Sequence, residues 1–84
     1  MKTSDVYLSA ALLALGYKLK SIDRKDPRHM VFEFAVPTGG NLGDTVKMYS
    51  LSAIETMWAN RTLTVNAFDF AEAIKRMKSL IHSS

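Results

Sequence analysis

Tyr17-Lys18-Leu19-Lys20-Ser21-Ile22 and His29-Met30-Val31-Phe32-Glu33-Phe34-Ala35-Val36 are the two stretches that decide the fold of this 84-residue chain. In the second, Met30, Phe32, Phe34 and Val36 fall on one side of an extended chain, and His29, Val31, Glu33 and Ala35 on the other. The first alternates as well, with Tyr17 and Leu19 opposed to Lys18 and Lys20. Ile22 breaks that parity, which predicts a bulge near Ser21 or an early end to the strand. Between them, Asp23-Arg24-Lys25-Asp26-Pro27-Arg28 is a polar connection whose Asp-Pro step sets a turn. The pair reads as an antiparallel hairpin.

N-terminal to the hairpin, Val6-Tyr7-Leu8-Ser9-Ala10-Ala11-Leu12-Leu13-Ala14-Leu15 predicts a helix. Thr3 or Ser4 is placed to cap it, Asp5 suits the positive end of its dipole, and Gly16 suits its close. At 100° per residue Leu8, Leu12 and Leu15 form one ridge, Val6 and Leu13 a second, and Asp5 and Ser9 the only polar strip. A helix apolar nearly all round is unusual in so small a domain.

C-terminal to the hairpin, residues 37–44 hold three of the four glycines and read as a flexible loop. Thr45 to Tyr49 is a candidate third strand. Ser50 is placed to cap a helix from Leu51 to Ala59, with Tyr49 and Ile54 as a hydrophobic staple and Asn60 closing it in the left-handed form. Thr62-Leu63-Thr64-Val65 is β-branched and reads as a strand. Asn66 then caps a long helix whose stripe is Phe70, Ala73, Ile74, Met77, Leu80 and Ile81, and residues 82–84 are expected to fray.

The predicted order is therefore α-β-β-(β)-α-β-α in one domain spanning residues 1–84, an α+β fold. A small antiparallel sheet of three to four strands is covered on its phenylalanine face by the first and last helices. The Val6/Leu13 flank of the first helix is left over. A second subunit of a homodimer is the expected cover, with Val6 and Leu13 at the interface.

Composition narrows the functional classes. The chain is 48% hydrophobic and 23% charged, as globular chains are, and without cysteine it has neither disulfides nor thiolate metal ligands. Lys2 before the apolar run resembles a signal peptide in outline. Asp5 interrupts the basic region, no small-x-small cleavage pattern follows, and ten residues cover only about half of the roughly 20 that span a bilayer. The reading is a cytoplasmic protein that does not enter a membrane.

Catalysis is not expected. The two histidines, His29 and His82, have no acid at metal-ligand spacing, so no metal or cofactor is anticipated. Glu33 and His29 are about 13 Å apart on one strand, beyond acid–base coupling. The glycine loop lacks the spacing of a phosphate-binding loop and is followed by a strand pattern instead of a helix start. Asn60-Arg61-Thr62 matches a glycosylation sequon but has no secretory context.

Charge is more informative. Residues 18–29 carry Lys18, Lys20, Arg24, Lys25 and Arg28 against Asp23 and Asp26, a surplus of three. The remaining six cations and six acids cancel, so the whole formal charge of +3 sits on the hairpin. Basic strands and turns track phosphate backbones, although lysines also guard exposed sheet edges against mispairing. Lys75 and Arg76 on the last helix are candidates to extend the patch. Trp58 reads as a core residue, while Phe68 projects off its helix stripe.

Thr3-Ser4-Asp5-x-Tyr7-Leu8, Gly16-Tyr17 after the helix, the Val- and Phe-rich strand, and Val65-Asn66-Ala67 before a helix ending in Lys78-Ser79-Leu80-Ile81 together carry a resemblance. The chain resembles a family of short uncharacterised domains, of unknown function, encoded in bacterial and phage genomes, and its glycine loop is longer than the family's. The resemblance implies a setting and no mechanism.

The functional expectation is a small non-enzymatic binding module that contacts DNA or RNA phosphates through the basic hairpin. Its competitor is a protein-interaction factor of a mobile element or phage. That factor would bind a host protein complex through the apolar helix flank, Phe68 and the glycine loop.

Overall fold

The hairpin is present, and its irregularity explains Ile22. The computed structural model describes residues 1–26, 28–36 and 49–82. Strands β2 (Lys18–Asp23) and β3 (Val31–Ala35) pair antiparallel, Leu19 opposite Phe34 and Ile22 opposite Phe32. The register shifts between Leu19 and Ser21, so Lys20 is an extra residue on β2. A bulge of one residue restores the parity that the sequence breaks and turns both Leu19 and Ile22 inward. Phe32 and Phe34 are each 1% exposed.

One strand was not foreseen. Lys2–Thr3 forms β1, with Lys2 opposite Glu33 and Thr3 opposite Phe32, which gives the order β1-β3-β2 with β3 central. The Met1 and Phe34 backbones extend that pairing, each donating to the other's carbonyl. Conversely, Thr62–Val65 is no strand. The Thr62 and Leu63 N–H groups both donate to the Met57 carbonyl, so the segment starts tied to the helix before it and ends at the cap of the next. Its β-branched composition is overridden by that connection. The expected loop at 37–44, most of the candidate strand at 45–49, and Ser83 and Ser84 lie outside the described residues. The chain is thus α+β, with three antiparallel strands and three helices among the described residues.

Helix α1 (Val6–Ala14) is capped by Asp5, not by Thr3 or Ser4. The Asp5 carboxylate accepts the Tyr7 and Leu8 N–H groups at 2.9 and 3.1 Å, and Thr3 Oγ1 accepts the Asp5 N–H. A carboxylate serves both as cap and as dipole partner, which explains the shift of one residue. At the far end Gly16 takes φ 96°. Its N–H reaches the Leu13 carbonyl and that of Tyr17 the Leu12 carbonyl, a Schellman closure. Helix α2 (Leu51–Ala59) is capped by Ser50, whose hydroxyl accepts the Ala53 N–H. It ends in the same closure, but Asn60 stays right-handed and Arg61 takes the left-handed position at φ 60°. Helix α3 (Ala67–His82) is capped by Asn66, whose side chain accepts the Asp69 N–H, and His82 is still helical.

The excess apolar surface of α1 is absorbed internally. Leu8 to Leu12 are buried without interruption. Ser9, expected on the wet strip, is 0% exposed because its hydroxyl donates to the Asp5 carbonyl and needs no water. Tyr7 is the residue that faces outward, 58% exposed. Leu13 and Ala14 border Asp69, Ala73 and Arg76, whereas Val6 borders Ile81, so α1 and α3 run antiparallel. Val6 and Leu13 are half-buried against the core on the side where α3 lies. Part of the cover that the sequence assigned to a second subunit at this flank comes from α3, which leaves both side chains half-buried. Trp58 packs against the same core from α2, as expected.

Candidate nucleic-acid interface

Antiparallel partners point to the same side of a sheet, so the register sorts the hairpin's side chains directly. Phe32, Phe34, Leu19 and Ile22 point inward, where they join Ile54 of α2 and Ala73 and Met77 of α3 in one core. Val31, Glu33 and Ala35 point the other way. Lys18 stands opposite Ala35, Ser21 and Lys2 opposite Glu33, and Asp23 opposite Val31. Lys20, the bulged residue, reaches to 3.9 Å from the Glu33 carboxylate, which places it on this side too.

The open face therefore carries Lys2, Lys18 and Lys20 together with two acids, Glu33 at its centre and Asp23 at the end of β2. Lys2 escapes sequence reasoning because two residues carry no period and nothing announces β1. The Lys20–Glu33 pair is long and exposed, and pairs of that kind hold a side chain only weakly. Ser21 Oγ also donates to Glu33, at 3.3 Å, so this carboxylate has two neighbours on β2. Among the described residues no strand position on this face carries an aromatic ring; Phe32 and Phe34 are both inside.

At the far end of the hairpin the acids shape the turn. Asp23 accepts the Lys25 N–H at 3.0 Å and Asp26 accepts the Arg28 N–H at 2.9 Å, both two residues along. These Asx interactions hold Lys25 and Arg28 at an exposed tip. Among the described residues neither side chain has an ion-pair partner. Arg28 and His29 border a cleft of about 190 Å³ with Ser4, Val6 and Ile81, and Ser4 Oγ lies 3.1 Å from His29 Nε2.

Three of the seven expected phosphate contacts do not belong to this surface. Arg24 Nη2 donates to the Leu80 carbonyl and Nη1 lies 3.9 Å from the Met30 sulfur, so its guanidinium docks the turn onto the last turn of α3. A cation there also complements the helix dipole. Lys75 pairs with Glu72 at 3.5 Å on the exposed side of α3. Arg76 borders Leu13, Asp69 and Glu72. Since the buried stripe of α3 faces the core shared with the sheet, these two cations stand on the other side of the molecule from the open face. The structure groups Lys18 and Lys20 with Lys2, sets Lys25 and Arg28 beyond the strand end, and separates the rest.

Among the described residues no group of three or more His, Asp or Glu is placed to hold a metal. No helix among them is long and apolar enough to cross a membrane. Comparison with protein-family models, with curated proteins and with solved structures finds no match.

Proposed function

We propose that this protein is a binding module that contacts the phosphate backbone of nucleic acid through the open face of its sheet. The observation that carries the reading is the grouping of Lys2, Lys18 and Lys20 on the side of the sheet away from the core, with Lys25 exposed at the turn beyond the strand end. Lys18 and Lys20 lie about 7 Å apart along β2, and Lys2 stands about 10 Å across the sheet from that strand, so the three can meet neighbouring phosphates. Edge protection accounts for lysines on β1 and β2, the outer strands of the described sheet, but not for Lys25 at the turn beyond them.

A face without aromatic rings has no platform on which bases stack, so recognition rests on charge and is tolerant of sequence. The test is fluorescence anisotropy with a labelled duplex, at low micromolar protein and near physiological salt. Lys18→Glu combined with Lys20→Glu weakens binding about tenfold or more, and Lys75→Glu combined with Arg76→Glu leaves it unchanged. Binding that ignores the first pair, or that depends on the second, refutes the assignment of the face.

A further inference from the structure

Helix α3 carries a second surface that the phosphate-binding face leaves unused. Phe68 is 72% exposed, the most exposed of the large apolar side chains described. At 100° per residue Phe68, Glu72, Lys75 and Ser79 form a single ridge pointing away from the core, and all four are exposed. Charge along the helix is divided in order. The acids Asp69 and Glu72 come first, and Lys75, Arg76 and Lys78 follow.

We infer that this ridge is the contact with a second copy of the chain, formed by two α3 helices packed antiparallel about a two-fold axis level with Ala73 and Ile74. The sequence is self-complementary under that operation, as an isologous contact requires. Glu72 faces Lys75 of the second copy and Lys75 faces its Glu72. The ion pair within each helix, 3.5 Å long, thereby becomes part of a square of alternating charges. Asp69 comes within reach of Arg76 of the second copy. Phe68 lies over Ser79, a side chain small enough to admit a ring, and Ala71 lets the helices approach closely. A parallel arrangement sets acid against acid and base against base, so the charge order selects the antiparallel one.

This interface differs from the one expected at Val6 and Leu13, which are half-buried beside α3 of the same chain. It also leaves both open sheet faces uncovered. A contact along one helix of 16 residues lies below the roughly 1,200 Å² typical of stable complexes, so the dimer is weak, with a Kd on the order of 100 µM.

Charge reversal gives a test that folding defects cannot imitate. Sedimentation velocity is run on the full chain up to about 1 mM, without nucleic acid, at low salt. Wild type dimerises with rising concentration. Glu72→Lys and Lys75→Glu each self-associate at least tenfold more weakly, because each homodimer then sets like charges together. An equimolar mixture of the two variants associates again, since one ridge has become basic and the other acidic. Phe68→Ser weakens self-association while its melting temperature stays that of the wild type. A wild type that remains monomeric at that concentration assigns the Phe68 face to a different protein and overturns the proposal. So does a mixture that associates no better than its components.

Discussion

Replacing Arg24 by alanine separates two roles that a cation on a basic hairpin can have. In the structure its guanidinium donates to the Leu80 carbonyl in the last turn of α3 and rests near the Met30 sulfur, so it fastens the β2–β3 turn to a helix 56 residues away in sequence. The hydrogen bond contributes about 0.5–1.5 kcal/mol net. The charge beside the helix C-terminus adds about 0.3–1 kcal/mol, reduced here by solvent because Arg24 is exposed. The two contributions overlap, so Arg24→Ala is expected to cost about 1 kcal/mol. For a domain of this size that lowers Tm by about 4–8 °C. Arg24→Lys keeps the charge but gives up the planar fork, and it recovers part of that stability. Calorimetric melting reads the stability, and anisotropy with a labelled duplex reads the affinity. The structure predicts a lower Tm for Arg24→Ala, with the salt dependence of duplex binding unchanged. An unchanged Tm accompanied by a salt slope smaller by about 0.9 would mean that Arg24 contacts phosphate, and would refute the docking role.

Further outcomes are expected elsewhere in the fold. Arg61 occupies a left-handed position at a helix close, where glycine carries no steric cost, so Arg61→Gly raises stability by about 0.5–1 kcal/mol in urea titrations. Burial pushes the Tyr17 phenol above its ordinary value of 10.0. Above about pH 10 the unfolded chain loses this proton while the native one keeps it, so stability is full below that pH and declines above it. Tyr17→Phe removes the hydroxyl that donates to the Tyr49 carbonyl, costs about 1 kcal/mol at neutral pH, and flattens the alkaline decline relative to wild type. Leu12→Ala costs about 2–5 kcal/mol, whereas Tyr7→Ala changes stability by no more than about 0.5 kcal/mol, since only the first side chain is enclosed. Deleting Lys20 removes the bulged residue and leaves Leu19, Ser21 and Ile22 in regular alternation. The shortened chain is expected to fold, as a wild-type-like circular dichroism spectrum would report, and failure to fold would contradict the register.

The hairpin was legible because its irregularity left a trace. Ile22 on the wrong parity has few explanations, and a bulge is one of them. The Ser50 and Asn66 caps were legible for the same reason, as short polar side chains just ahead of helical periods. What failed depended on groups distant in sequence. Two residues at the N-terminus have no period, so β1 and its Lys2 could not be foreseen. Thr62–Val65 has strand composition, but two of its N–H groups are spent on the helix before it. Ser9 looked wet because its hydroxyl is polar, yet a bond to the Asp5 carbonyl satisfies it in the core. The cations show the limit most clearly. Lys18, Arg24 and Lys75 are alike in sequence, and only the fold sends one to an open face, one to a helix end and one to an intrahelical pair.

The salt dependence of duplex binding reports whether the open sheet face meets phosphate. For wild type, log K against log salt concentration is predicted to fall linearly. Substituting alanine for Lys2, Lys18 or Lys20 is predicted to reduce the slope by about 0.9 for each phosphate that is no longer neutralised, whatever the duplex sequence. Absence of binding at low salt, or a slope that stays the same when all three lysines are replaced, would contradict the account.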